Sequence, residues 1–259
     1  MPQASRPDLA TTKAEAPDPH ADPQLDPRMA LGLRGARVHE AQGRGRVAFA
    51  LFQMARHRGA LFWITPARNH QRLMMGGLPF GVGERLHLVE AASEKDLLWA
   101  TEEALRASPA GLVVAEPEKP LSLTAGRRLQ LAAETGGTTG LMLIGEGRGS
   151  NAAESRWHCE PVAGAAPSAL AVSRGALPDP ALHHWQLVKN KSAPCRGWLV
   201  AWDGTTADDL VLHEAENPQG LQKPPVAPAF SPVFGADLAV PRKHGDSQDQ
   251  SENEAPPRA

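Results

Sequence analysis

The 259-residue chain is expected to be an α/β protein, with a mostly parallel central sheet flanked by helices, antiparallel strands added at one edge, and polar tails. Three observations lead there. The short apolar runs "ALFWIT" (60–65), "GLVVAE" (111–116) and "GLMLIG" (140–145) read as strands buried on both faces, the habit of a parallel sheet. Segments of helical period alternate with these runs, which implies right-handed strand–helix–strand units. Beyond residue 145 the alternation stops, and consecutive strand-like segments suit hairpins at one edge.

Residues 1–30, rich in Pro, Ala and Asp and without an apolar period, are expected to be a disordered tail. "ARVHEA" (36–41) is the first strand, followed by the turn Gly43-Arg44-Gly45-Arg46 and a helix over 45–57 with Val47, Leu51 and Ala55 on one face. "ALFWIT" and "RLHLVE" (85–90) are strands. In "SEKDLLWATEEALRAS" (93–108), Ser93 and Asp96 stand at the spacing of a capping box. Leu97, Thr101 and Ala104 form a stripe with Leu98 and Leu105 beside it, and Pro109 closes the helix. After "GLVVAE", residues 124–134 are helical, with Gly136 and Gly137 to cap them. "GLMLIG" is a strand, as are "SRWHCEPV", "HHWQLVKNK", "RGWLVAWD" and "DLVLHE". From 216 onward recurrent prolines and a polar end give a second tail, whose sticky segment "PPVAPAFSPVFG" offers two Phe anchors for a groove.

Composition narrows the function classes. Apolar residues are 41% of the chain, enough for a packed core, and a net charge of −2 gives no global basic field for nucleic acid. The two cysteines, Cys159 and Cys195, make no disulfide framework, and neither a membrane span nor a secretory leader is read. A reduced, cytoplasmic protein is therefore expected.

The stretch "VHEAQGRGRVAFALFQ" (38–53) has the strand–turn–helix frame of a phosphate loop. A phosphate loop of the form G-x-x-x-x-G-K-[ST] needs a lysine for the outer phosphates and a hydroxyl for Mg²⁺. Here Arg44 and Arg46 flank Gly45, and Val47, Ala48 and Phe49 stand where the polar residues belong. "LVKNKSAPCRGWLVAWD" (187–203) is the second informative stretch, because alternation puts Lys189 and Lys191 on one face of a strand and Asn190 on the other.

The order of these pieces resembles the RecA core, and "VKNKxAP" matches its closing strand pair closely. The chain is more closely similar to ImuA-type proteins, RecA-like accessory factors of bacterial translesion synthesis. The segments that carry this are Val38–Glu40, Phe62–Ile64, Asp96–Arg106, Leu112–Glu116, Thr124–Glu134 and Trp185–Asp203, with "LLWATEEALR" and "RRLQLAAE" together the most specific. The resemblance covers residues 34–215 and implies a RecA-like domain over 31–215. It places a degenerate phosphate loop at Gly43, Arg44 and Gly45 and a degenerate Walker B position at Ala115 and Glu116. No acid follows "WIT" either, since no Asp or Glu lies between Glu40 and Glu84. Phosphoryl transfer needs those groups, so no catalysis and no cofactor are expected.

The resemblance further implies an SOS-response mutasome role. Its partners would be RecA, an inactive Y-family polymerase homologue of the ImuB type and, through that homologue, an error-prone replicative-type polymerase and the sliding clamp. Lys189 and Lys191 would meet a RecA subunit, as the equivalent pair does at the RecA filament interface; the alternative is two lysines on a solvated edge strand. A SulA-like division inhibitor and a RecA-fold ATPase with a divergent loop are the rival expectations.

Other residues carry weaker signals. His158, Cys159, His183, His184 and Cys195 lack zinc-site spacing, so no metal is expected. Trp63, Trp99, Trp185, Trp198 and Trp202 read as packing residues rather than stacking platforms. Arg127, Arg128, Arg148 and Arg156 suggest a basic patch. "GEGRGSNAAE" (145–154), however, is shorter than a RecA DNA loop and contains Glu146, so direct DNA binding is not favoured.

Overall fold

A computed structural model describes residues 27–69, 73–108, 110–163, 181–208 and 210–214. Pro109, the expected N-terminal tail up to residue 26, and the C-terminal tail with "PPVAPAFSPVFG" lie outside the described residues.

A short helix α1 (Pro27–Ala30) leads into β1 (Val38–Gln42), α2 (Arg46–Arg56), β2 (Ala60–Pro66), β3 (Leu86–Ala91), α3 (Glu94–Arg106), β4 (Ala110–Ala115) and α4 (Leu123–Gly136). The strands β5 (Thr139–Leu143), β6 (Ser155–Pro161), β7 (Ala181–Asn190), β8 (Gly197–Trp202) and β9 (Leu210–Glu214) complete the order. They form one sheet, β3-β2-β4-β5-β1-β6-β7-β8-β9. The strands from β3 to β6 run parallel and β7 to β9 are antiparallel additions, as expected of the α/β class. One detail departs from the expected run of hairpins: "SRWHCEPV" joins β1 in parallel. The chain reaches it by carrying 144–154 across β1 without a helix.

Strand alternation divides the core between the two faces. Leu112, Val114, Leu141 and Leu143 point to the α2 face, and Val113, Ala115, Met142 and Ile144 to the face covered by α3 and α4. Helix α2 buries Phe49, Ala50, Phe52, Gln53 and Met54. The expected stripe Val47–Leu51–Ala55 lies at its flank, partly buried. The reason is the curl of β6 to β8, which brings Trp157, Trp185 and Trp202 around Phe49 and Phe52. Ring centroids there are 4.9–5.6 Å apart, distances that favour tilted and edge-to-face contact. On the other face Ser93 caps α3 by accepting from the Asp96 N–H. Gly137, at φ +68°, closes α4 in the left-handed conformation that glycine tolerates.

Trp63, Trp185, Trp198 and Trp202 are core residues, but Trp99 is 63% exposed on α3, contrary to its expected packing role. Leu97 and Thr101, with Glu102 and Leu105, face inward and turn Trp99 out. Among the described residues no helix is long and apolar enough to cross a membrane.

His39 of β1 is buried. Its Nε2 lies 2.9 Å from the Arg34 carbonyl, to which it donates, which leaves Nδ1 to accept from the Ser155 hydroxyl at 2.6 Å. Burial pushes its pKa down to about 4. The folded state therefore resists a proton that the unfolded chain accepts near 6.5, so stability present above that value is lost as pH falls toward 4. The full loss is about 3 kcal/mol and the loss at pH 5 about 2 kcal/mol. Urea unfolding at pH 7.5 and 5 should show it, with a shallower pH dependence in His39→Gln, which retains His57, His183 and His184. A wild-type stability that does not change between these pH values contradicts this reading.

Candidate functional site

The turn after β1 is packed against β6. Gly43 has φ +90°, and a Cβ there would lie 2.4 Å from the Cys159 carbonyl oxygen, so only glycine fits. The Gly45 N–H donates to that carbonyl at 2.8 Å. The Glu160 carboxylate accepts from the Arg44 N–H at 3.1 Å and from Arg44 Nε at 2.9 Å. Donors that would face a phosphate in a nucleotide loop are thus taken by a carbonyl and a carboxylate of the chain itself. Arg46, the first residue of α2, donates to the Gly43 carbonyl at 3.0 Å, and its Nε is buried without a hydrogen-bond partner.

Ala115 ends β4 inside the α3/α4-side core. Glu116 follows it and is half-buried rather than a surface charge. It accepts from Trp63 Nε1 at 2.6 Å and from Asn69 Nδ2 at 3.3 Å. Burial raises its pKa above the usual carboxylate range, and these hydrogen bonds and the Arg46 charge only partly oppose that. Glu116 opens onto a cleft of about 550 Å³ at the carboxyl ends of β2, β4 and β5, which Arg46, Arg68, Asn69, Glu118 and Arg148 also line. Arg68 pairs with Glu118 through two hydrogen bonds.

A second polar centre lies where 144–154 crosses β1. Glu40, 1% exposed, accepts from the Ser150 N–H at 2.7 Å and from Arg156 Nε at 2.8 Å. The lysines converge on the same crossing. Lys189 Nζ donates to the carbonyls of Ser150, Asn151 and Ala153 at 3.0–3.1 Å, and Lys191 Nζ to that of Ala152 at 2.8 Å. A bulge brings this about. Trp157 pairs with Leu187 but Arg156 with Lys189, so Val188 is the extra residue and Lys189 moves to the face of Arg156. The strand is internal, not the expected edge, although past Leu187 it extends beyond β8.

The four candidate patch arginines meet different groups. Arg128 pairs with Glu102, Arg156 with Glu40, Arg148 donates to the Glu118 carbonyl, and Arg127 is exposed on α4. Of the residues considered for zinc, His158 and His184 share one face of the β6–β7 pair, near enough to interact electrostatically, whereas Cys159 and His183 lie on the other. Cys159 is buried in the α2-side core, Cys195 is exposed, and His158 sits on the opposite face with Glu160 and Glu146, whose ligand atoms lie within 4.8 Å of one another. Arg44 already neutralises Glu160 in that group.

Sequence reasoning gives no site role to Glu160, Arg68, Asn69 and Glu40, and names Arg46 only as a flank of Gly45. Only Glu40, an acid in the middle of a strand of the central sheet, carried a signal, because a buried charge needs a partner.

No protein-family model matches the chain. Over 116 residues it is 36% identical to Protein ImuA of Caulobacter vibrioides (strain NA1000 / CB15N), 43% of this chain and 46% of that protein. The same values hold for Protein ImuA of strain ATCC 19089 / CIP 103742 / CB 15. The match spans less than half the length of these curated relatives.

Proposed function

We propose that this chain, an ImuA relative over the matched stretch, is a non-catalytic RecA-like adaptor of a damage-inducible mutasome and supports error-prone synthesis through protein contacts. The observation that carries the reading is Glu160 seated in the Gly43–Arg46 turn. A carboxylate of the chain occupies donors a phosphate would need, and Arg46 rather than a lysine follows Gly45. Ala115 and Glu116 fit the same reading, since a half-buried carboxyl tied to Trp63 and Asn69 is poorly placed to support Mg²⁺. A RecA fold without nucleotide chemistry retains its surfaces. The partners proposed are RecA, an ImuB-type polymerase homologue and, through it, the error-prone polymerase and the clamp.

Lys189 and Lys191 are proposed to act at the RecA contact in two ways. They hold the 150–154 crossing in shape through its carbonyls, and they leave positive charge on a surface that includes the 39% exposed Val188. Losing one side of a desolvated charge pair costs about 2–5 kcal/mol, roughly 30-fold or more in affinity, whereas a rim contact chiefly alters salt dependence. The test is RecA binding by the wild type, by Lys191→Ala and by Lys189→Ala/Lys191→Ala at two salt concentrations, with folding checked by thermal melting. The double variant should melt cooperatively and bind about 30-fold more weakly. Unchanged affinity at both salts removes the lysines from the interface. Failure of the wild type to bind either RecA or the polymerase homologue removes the mutasome reading and favours a division-inhibitor role.

A further inference from the structure

We infer that the cleft at the carboxyl ends of β2, β4 and β5 receives an acidic segment of a partner protein, with Arg46 and Arg148 pairing its carboxylates. The inference rests on the adaptor reading and assigns a contact chemistry to one surface.

Position is the first support. Ligands of open α/β sheets sit in the crevice outside the carboxyl ends of the strands, and a volume of about 550 Å³ admits a few side chains. Charge is the second. Three guanidiniums enter from separate elements: Arg46 from the start of α2, Arg68 from the segment after β2, and Arg148 from the turn after β5. Glu118 answers Arg68. Among the described residues, Arg46 and Arg148 have no carboxylate within ion-pair distance. Their described hydrogen bonds go to the carbonyls of Gly43 and Glu118, and Arg46 Nε is buried without an acceptor. Glu116, the remaining acid, is half-buried and its described hydrogen bonds run to Trp63 and Asn69 rather than to either arginine. A guanidinium without a carboxylate at ion-pair distance in a crevice favours a planar oxyanion bound through paired N–H donors.

The walls select the source of that oxyanion. Pro66, Pro117 and Ile144 are apolar, and among the described residues no exposed aromatic ring lines the cleft for a base to stack on, Trp63 being only 2% exposed with its N–H committed to Glu116. A triphosphate would need the turn amides that Glu160 and Cys159 hold. An acidic peptide with interspersed apolar side chains matches both features.

The experiment is fluorescence anisotropy of the full chain with a labelled peptide alternating aspartate and leucine, its asparagine counterpart, and a labelled oligothymidine. The aspartate peptide should bind saturably. Affinity should fall about ten-fold or more for the asparagine peptide, and likewise in Arg148→Gln and in Arg46→Gln. Arg127→Gln, at an exposed position of α4 outside the cleft, should bind it unchanged. No binding, equal binding of both peptides, indifference to both arginine substitutions, or displacement of the peptide by tighter-binding oligothymidine overturns the assignment. If the peptide fails while RecA or the polymerase homologue still binds, the cleft assignment alone fails. If the peptide binds as described and neither partner does, the mutasome reading fails and the cleft stands.

Discussion

Val114→Asp should yield no soluble, cooperatively melting protein. Val114 is 0% exposed on β4, flanked by Trp63 of β2 and Leu141 of β5 in register, and it points into the core under α2. A carboxylate there has neither water nor a cation. Burying it unpaired costs several kcal/mol, and protonation still leaves an unsatisfied polar group. Domains of this size hold only about 5–15 kcal/mol in total. Val114→Ala removes only methyl groups and should remain folded with a lower Tm. Gel filtration and a circular-dichroism melt of both variants decide the matter, and a soluble Val114→Asp protein with a sharp transition would place this strand at the surface.

Arg156→Ala should cost about 3–5 kcal/mol, because it leaves Glu40 buried with the Ser150 N–H as its remaining described hydrogen-bond donor, while Lys189, whose charge also reaches Glu40, is bonded to backbone carbonyls. The same change frees the Ser150 carbonyl from a guanidinium bond of 3.0 Å and opens the space in which Arg156 lies against Gly149, where a Cβ would sit 1.9 Å from Cζ. Glu40→Gln/Arg156→Met removes both charges at little change in volume and should recover much of the loss. Urea unfolding of the two variants and wild type measures this. A loss below about 1 kcal/mol in Arg156→Ala would mean that the pair does not hold the crossing.

The central strands were legible because a strand covered on both faces is apolar throughout, and "LFWI", "LVVA" and "LMLI" left no polar alternative. The caps at Ser93 and Gly137 were legible because capping is local chemistry. The face of α2 was not. Its stripe depended on how far β6 to β8 curl around Phe49 and Phe52, a long-range packing effect that helical period alone does not carry. Trp99 goes the other way: its place on a helix suggests packing, while Leu97, Thr101 and Leu105 take the inward face. At the candidate site, missing lysines and acids could be read off directly, but what fills the turn could not. Glu160 lies 116 residues from Arg44 and meets it only through the pairing of β1 with β6. The lysines of "VKNK" were placed on one face by alternation, but the bulge at Val188 decided which face that is.

The measurement that bears most directly on the adaptor reading is a titration of the wild-type chain with a fluorescent ATP analogue and Mg²⁺, with phosphate release followed in parallel. Because the amides of the Gly43–Arg46 turn are held by Glu160 and Cys159, the account predicts no saturable binding at micromolar concentrations and no release above background. Micromolar binding with turnover that Glu116→Gln abolishes would contradict it, and would make the chain a RecA-fold ATPase with a divergent loop.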